Sequence, residues 1–379
     1  MKRNDLLEDD TLHVLPTFLR VEEELVSALD ESECGVIFGK KIFTFPQLIE
    51  RIYEEIQSHK TILSPAGQLV LVERVVDAIY KDKEAGYFKP LINSNTFSKT
   101  LINIVNTLKS YDISSVVFES IVKKWKDGDK ERLRELAGIY RYYQVKLEEF
   151  ELIDHSDMNI AVRDFVADQG NEISFLKGVH NLKVEDIYDF TPVQFDLVIA
   201  LASRIEHTKI IIPYDHDRDD IFSYVEKTIR KFESLWELNI DIDLDFKSQH
   251  DNSQGKLGEI TKNYFRQDGT TSGMKPVNIE DELILIETTG IYQEAEEIGK
   301  EIRKLLDEGV KPGEIGVLFR DLSLYSEMIE DVFHRFKIPM YFRRGRPLLS
   351  NNVMKTILSI FEMLNNNFER NTFLKIIRS

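Results

Sequence analysis

Over the first sixty residues, short apolar runs alternate with longer stretches in which apolar positions recur every three or four residues, so strands and helices are expected to take turns. Leu12-His-Val-Leu-Pro16-Thr17 reads as a short buried strand ending in a turn, and Phe18 to Leu29 as an amphipathic helix with acidic residues early. Gly35 to Phe38 and Ile42 to Phe45 are further strand-like pieces. Pro46 then opens a helix over Gln47 to Ile56, with Thr44 placed to cap it. Such alternation is the pattern of a parallel sheet.

The period changes after Ser64-Pro65. Gln68 to Tyr80, Thr96 to Ser110, Ser114 to Trp125 and Lys130 to Phe150 each carry a helical apolar stripe, and strand candidates are few until about Asp168. In the last of these helices Leu133, Leu136, Ala137, Tyr140, Tyr143 and Leu147 share one side, which is the pattern of a core face. This region reads as a helical subdomain inserted into an α/β body. Strands return at Leu182 to Ile187 and Lys209 to Pro213, on either side of a helix from Val193 to Ile205. Asp241, Asp243 and Asp245 alternate with Ile242, Leu244 and Phe246, as in a strand with one charged face. A polar passage from Lys247 to Pro276, with a short helix near Leu257 to Phe265, reads as a linker.

Beyond it, Leu283 to Thr288, Ile315 to Arg320 and Pro339 to Phe342 read as strands. Tyr292 to Leu306, Leu324 to Phe336 and Val353 to Leu364 read as helices, with Gly309 stopping the first. The chain is expected to continue past Ser379, because its last residues read as a helix still in progress.

Composition narrows the class. With 42% hydrophobic and 30% charged residues in 379, the chain has room for two or three packed domains. No apolar run is long enough to cross a bilayer, and the acidic turn after MKRN leaves no secretory core, so the cytoplasm is the expected compartment. The single cysteine, Cys34, excludes a disulfide framework and a multi-cysteine metal site, and reads as a small packed residue. The formal charge of −17 argues against tight non-specific binding to nucleic acid by the whole chain. Local basic groups remain, at Lys123, Lys124 and Lys126, at Arg132, Arg134 and Arg141, and at Arg343, Arg344 and Arg346; each alone reads as a solvated face or loop.

Three stretches could carry chemistry. Gly35-Val-Ile-Phe-Gly39-Lys40-Lys41 has three residues between its glycines where a phosphate-binding loop needs four. It also has a second lysine where the loop needs a magnesium-holding Ser or Thr. Glu185 and Asp186, at the end of a buried strand, could hold magnesium and polarise a water, or could cap the following helix. Asp215, His216, Asp217, Asp219 and Asp220 suit a divalent cation by composition, but acid-rich loops after strands are common. No nucleophile elbow, zinc helix or Cys/His cluster is present, which leaves hydrolase and metalloprotease readings without support.

The order of these pieces carries a resemblance. Glu185 to Gln194 resembles a degenerate Walker B motif of UvrD/RecB-type helicases, V-D-E-x-x-D-T-x-x-Q, with the leading acids reversed and Phe190 as an extra residue. Tyr188-Asp-Phe-Thr-Pro-Val-Gln194 is similar to the Y-D-F-T-P-x-Q of AddB/RexB-like subunits of bacterial helicase–nucleases. Ile212 to Phe222 resembles V-G-D-x-D-Q-S-I-Y: Asp215, Asp217, Ile221 and Phe222 keep their places, but Arg218 stands where a phosphate-sensing glutamine would be. Gln293 to Ile298, Glu314 to Arg320, Ile338-Pro339 and Arg346 to Leu349 look like the start of a second motor domain, with Arg320 matching a nucleotide-contacting arginine.

The resemblance implies an α/β fold of two RecA-like parallel-sheet domains with an all-helical insertion in the first. The first, degenerate domain is expected over 1–64 and 175–250, the insertion over 65–174, a linker over 251–281, and the start of the second domain over 282–379. It implies a helicase-like module of DNA-end processing in double-strand-break repair, with DNA and an AddA/RexA-like motor subunit as partners and no membrane. Glu185, Asp186, Gln194, Asp215, Arg218 and Arg320 then stand as relics of a magnesium–ATP site, with no catalytic or metal-binding residues expected to remain active. Thr17, Arg343, Arg344 and Arg346 are expected to contact DNA, as single strand or duplex end. In longer relatives a PD-(D/E)XK nuclease domain follows, often with an iron–sulfur cluster, and this chain encodes neither. Two rival readings remain: a nucleotide site built from Asp186, Asp215 and Arg320 without a phosphate loop, and a protein-interaction module whose helical insertion docks a partner.

Overall fold

The computed structural model describes residues 10–215 apart from short breaks at 33–35, 37–38, 40, 57, 82–84, 93 and 127, then 219–236, 242–246, 283–340, 351–365, 368, 370 and 373. The chain divides into two compact units, Met1–Val277 and Asn278–Ser379.

The first unit is organised by a five-stranded sheet of β1 (Thr11–Leu15), β2 (Lys41–Thr44), β5 (Asn181–Glu185), β6 (His207–Ile212) and β7 (Ile242–Phe246). All its pairings are parallel, and the strand order is β2-β1-β5-β6-β7. The helices interleaved with these strands are α1 (Phe18–Asp30), α2 (Phe45–Tyr53), α7 (His155–Ala167), α8 (Pro192–Ala202) and α9 (Asp219–Trp236). Local chemistry starts most of these helices. Thr17, Thr44, Asp154 and Thr191 are extended N-caps whose side chains accept backbone N–H groups of the first turn, and Thr44 and Thr191 complete reciprocal capping boxes with Gln47 and Gln194.

Because strand side chains alternate, each face of the sheet is read from every second residue. Leu12, Val14, Leu182, Val184, Ile210, Ile212 and Ile242 merge on one face with α2, α7, α8 and α9 into the main core. The registered residues His13, Lys183, Lys209 and Asp243 lie on the other. The crossover from β1 to β2 runs against the direction of all the others, and right-handedness puts α1 on that opposite face. Lys209 there pairs with Asp245 at 2.9 Å and Asp243 at 3.8 Å, so the expected charged alternation is a strand face over Ile242–Phe246, and Asp241 lies outside the described residues.

A second core belongs to helices alone. The helices α3 (Pro65–Tyr80), α4 (Asn95–Ser110), α5 (Ser115–Lys124) and α6 (Lys130–Glu149) enclose Val72, Val75, Val76, Leu101, Tyr140, Tyr143 and Leu147. A two-residue parallel ladder, β3 (Thr61–Ile62) with β4 (Leu152–Ile153), draws the two ends of this stretch together. The helix that follows, α7, packs Met158, Val162 and Val166 into the sheet's core.

In the second unit α10 (Ile291–Asp307) packs on α11 (Leu322–Arg335) through Ala295, Ile302, Ile329, Val332 and Phe333, and α12 (Asn352–Asn365) follows. The strands expected at Leu283 to Thr288 and Ile315 to Arg320 are not formed: residues 283–288 and 315–319 have no regular structure. A strand exists only through its ladder, and among the described residues nothing pairs with either segment. The helix expected at Leu257 to Phe265 and the linker lie outside the described residues, as does most of Gly35 to Lys41.

Candidate functional site

In an open parallel sheet the ligand crevice lies at the carboxyl edge, where successive crossovers leave to opposite faces. Here that point is between β1 and β5, since α1 departs to one face and the remaining helices to the other. The connection from β1 to α1 is two residues long, Pro16-Thr17. Pro16 has no N–H, and Thr17 is exposed, with its hydroxyl accepting from the Arg20 amide at 3.3 Å.

Across the crevice Arg20 reaches from the first turn of α1 to the end of β5. Its guanidinium donates to Asp186 Oδ2 at 3.2 Å and to Glu23 Oε2 at 3.1 Å. Burial pulls the Arg20 pKa down, but Glu23, Asp186 and Glu185 outweigh it and hold the group above its ordinary value. Asp186 itself has φ of 60°, in the left-handed region, and its amide donates to the Ile211 carbonyl at 3.0 Å. A non-glycine residue in that region costs of order 1 kcal/mol or more, and such strain gathers at ligand sites. One residue earlier, Glu185 is buried on the polar face. Its Oε2 lies 3.1 Å from His13 Nε2 and 2.5 Å from Lys183 Nζ.

The structure thus brings Thr17, Glu185, Asp186 and Asp215 to one edge of the sheet. Neither Glu185 nor Asp186 caps the next helix; Thr191 does, and Gln194 is engaged with it, its Oε1 accepting the Thr191 amide at 3.1 Å. Arg320 is exposed in the second unit. Arg218, Arg343, Arg344 and Arg346 lie outside the described residues, as do His216 and Asp217. Arg20 and His13 were missed from sequence. Each is unremarkable in its own element, and each gains a role only when β5 pairs with β1.

A second polar cluster lies where the helical core meets α7. The Lys109 ammonium, 1% exposed, donates to Asp154 Oδ2 at 2.6 Å and Asp157 Oδ2 at 2.8 Å. The Tyr143 hydroxyl donates to the same Asp154 oxygen at 2.8 Å, and Gln68 Nε2 donates to Tyr143 Oη at 3.1 Å. Burial, then Asp154, raises the Asp157 pKa against the opposing pull of Lys109; burial likewise raises Tyr143.

The doubly wound parallel sheet is that of a RecA-like α/β protein, and a model of the UvrD-like helicase C-terminal domain matches residues 246–379. The chain belongs to the ADDB, N-terminal family, whose model matches residues 16–258. Among curated relatives it is similar to an ATP-dependent helicase/deoxyribonuclease subunit of Clostridium novyi (strain NT), 21% identical over 358 residues, covering 90% of this chain and 30% of that protein. The corresponding protein of Staphylococcus aureus (strain MRSA252) is 22% identical over 384 residues, covering 99% and 32%. The chain spans about a third of the length of the curated relatives it matches. Among the described residues, no helix is long and apolar enough to cross a membrane.

Proposed function

We propose that this chain is a non-hydrolysing, helicase-like module of a DNA-end-processing helicase–nuclease in the cytoplasm. In this reading it contacts DNA and supports an active motor subunit of the AddA/RexA type. The relatives' shared description, a subunit of an ATP-dependent helicase/deoxyribonuclease, supports the setting.

The observation that carries the loss of hydrolysis is the Arg20–Asp186 ion pair across the switch point. A hydrolysing motor needs successive amides around the phosphates and a carboxylate free to hold magnesium. Pro16-Thr17 is too short a connection to wrap phosphates, and the carboxylate is already matched by a side-chain cation. Gln194, expected as a relic of the nucleotide site, is committed to its capping box. The residues present therefore do not fit a magnesium–nucleotide. DNA contact is assigned to Thr17, exposed at the carboxyl edge, and to Arg343, Arg344 and Arg346, through phosphate-directed contacts.

Fluorescence anisotropy of labelled single-stranded and blunt duplex DNA, at low and near-physiological salt, tests the DNA arm. Binding that weakens steeply with salt supports it, and absence of binding at low salt refutes independent DNA contact. Calorimetric titration with magnesium–ATP tests the other arm. No heat of binding is expected, and binding abolished by Asp186→Ala would overturn the reading in favour of a nucleotide site without a phosphate loop.

A further inference from the structure

Helix α5 packs on α6, yet it buries little of its own surface: Ser115 and Val122 are buried and Phe118 is partly buried. It also carries Val116, Val117, Ile121 and, at the C-cap, Trp125, all between 42% and 61% exposed. At 100° per residue, Val117, Ile121 and Trp125 run along one exposed side of the helix toward Phe118, while Ser120 and Lys124 point outward and separate them from Val116. Three large apolar side chains at i, i+4 and i+8 form a stripe that water solvates poorly, and such patches mark contact sites. Helix formation does not require them, because the Ser114 hydroxyl already caps the helix, accepting the Val117 amide at 3.3 Å.

The charge around the stripe is opposite in sign to the chain. Residues 120–134 hold six basic and three acidic side chains, in a protein of formal charge −17. Lys123 pairs with Glu119 and Arg132 with Asp129. Lys124, Lys126, Lys130 and Arg134 make no ion pair among the described residues, so an uncompensated cationic margin borders the apolar face at its Trp125 end.

We infer that the outer face of α5 docks a protein surface made of an apolar ridge flanked by carboxylates. Val116, Val117 and Ile121 decide between this and nucleic acid. Aliphatic side chains match an amphipathic helix and offer nothing to phosphates or base edges, and Trp125, the single aromatic in residues 120–134, falls short of the run of aromatics on which successive bases stack. Trp125, beside Lys124 and Lys126, is the expected anchor, since a rimmed aromatic contributes most per residue at an interface. This inference rests on the proposed association with a motor subunit and names the face that makes it.

The test mixes the purified chain with the purified AddA/RexA-type motor subunit of the same organism and measures affinity by biolayer interferometry. The wild type is compared with Ile121→Glu/Trp125→Glu, Lys124→Glu/Lys126→Glu and Trp125→Phe. Circular dichroism melts confirm folding, which these exposed positions are not expected to disturb. The two paired substitutions should each weaken binding at least tenfold, Trp125→Phe should retain it, and hydrogen exchange in residues 115–126 should slow in the complex. If the complex forms with wild-type affinity for both paired variants, the docking face is wrong and the association stands. If no complex forms with the wild type, both fail. If the variants instead lose a labelled oligonucleotide while keeping the motor subunit, the face binds nucleic acid and the inference is overturned.

Discussion

Lys109→Met is the sharpest test of how the helical core is joined to the sheet. The lysine is on α4 and its partners belong to α7: Asp154 is that helix's N-cap, its Oδ1 accepting the Asp157 amide at 2.8 Å while its Oδ2 accepts Lys109 and Tyr143. Lys109 and Asp154 are each 1% exposed, so water cannot replace the lost cation. Removing one partner of a buried pair costs about 3–5 kcal/mol, because the other is left charged in a poorly polarisable site. Methionine keeps most of the side-chain volume, so the loss reports charge and hydrogen bonding more than a cavity. Urea denaturation followed by circular dichroism would measure the global loss. Native-state hydrogen exchange should show the first turn of α7 and the last turn of α4 opening before the rest of the sheet. Adding Asp154→Asn to Lys109→Met should recover part of the loss, since it removes the fully buried carboxylate and leaves only the part-exposed Asp157 without its cation. A loss below about 1 kcal/mol, with exchange unchanged in both turns, would refute the claim that this pair couples the two cores.

Three further outcomes are expected. Asp157 has its folded-state pKa raised, so its contribution is fully present below the unfolded-state value and is lost as pH rises through the folded one. Asp157→Asn should therefore gain stability relative to wild type as pH rises through that window, and parallel urea titrations at several pH values should show no such trend if the carboxyl is solvated. Arg204 donates to three backbone carbonyls, at Val166 (2.5 Å), Asn171 (2.9 Å) and Asp168, holding the end of α7 against the turn after α8. Arg204→Met should cost about 2 kcal/mol for the loss of charge-assisted bonds, seen as faster exchange of the amides from 168 to 171. In the second unit a Cβ on Gly299 would sit 2.8 Å from Val332 Cγ1 and 3.2 Å from Phe336 Cδ2. Gly299→Ala should therefore destabilise the α10–α11 pair by about 1–3 kcal/mol despite alanine's better helix propensity of about 1 kcal/mol, and a raised melting temperature would show that the pair can move apart.

Much of the first unit was legible because its signals are local. The cap at Thr44 stands two residues before Pro46, in the first turn of α2, and the aspartate alternation before Phe246 needs only a two-residue period to read as β7. The two-residue ladder of β3 with β4 was not legible, since two residues carry no period and their partners stand about ninety positions apart. In the second unit the apolar run from Leu283 to Ile286 reads as a strand by composition, yet composition cannot supply the neighbour that completes a ladder.

By itself the sequence determined where helices begin, which of their faces are apolar, and that an acidic motif closes one buried strand. These follow from the spacing of neighbours along the chain, which survives without any tertiary contact. Only the tertiary structure decided what the motif meets. Arg20 and Asp186 are 166 residues apart, His13 and Glu185 172, and Lys109 and Asp154 45. Such pairs are set by sheet order and helix packing, whose free energy is spread over the whole core. The availability of each carboxylate at this edge is therefore a property of the fold.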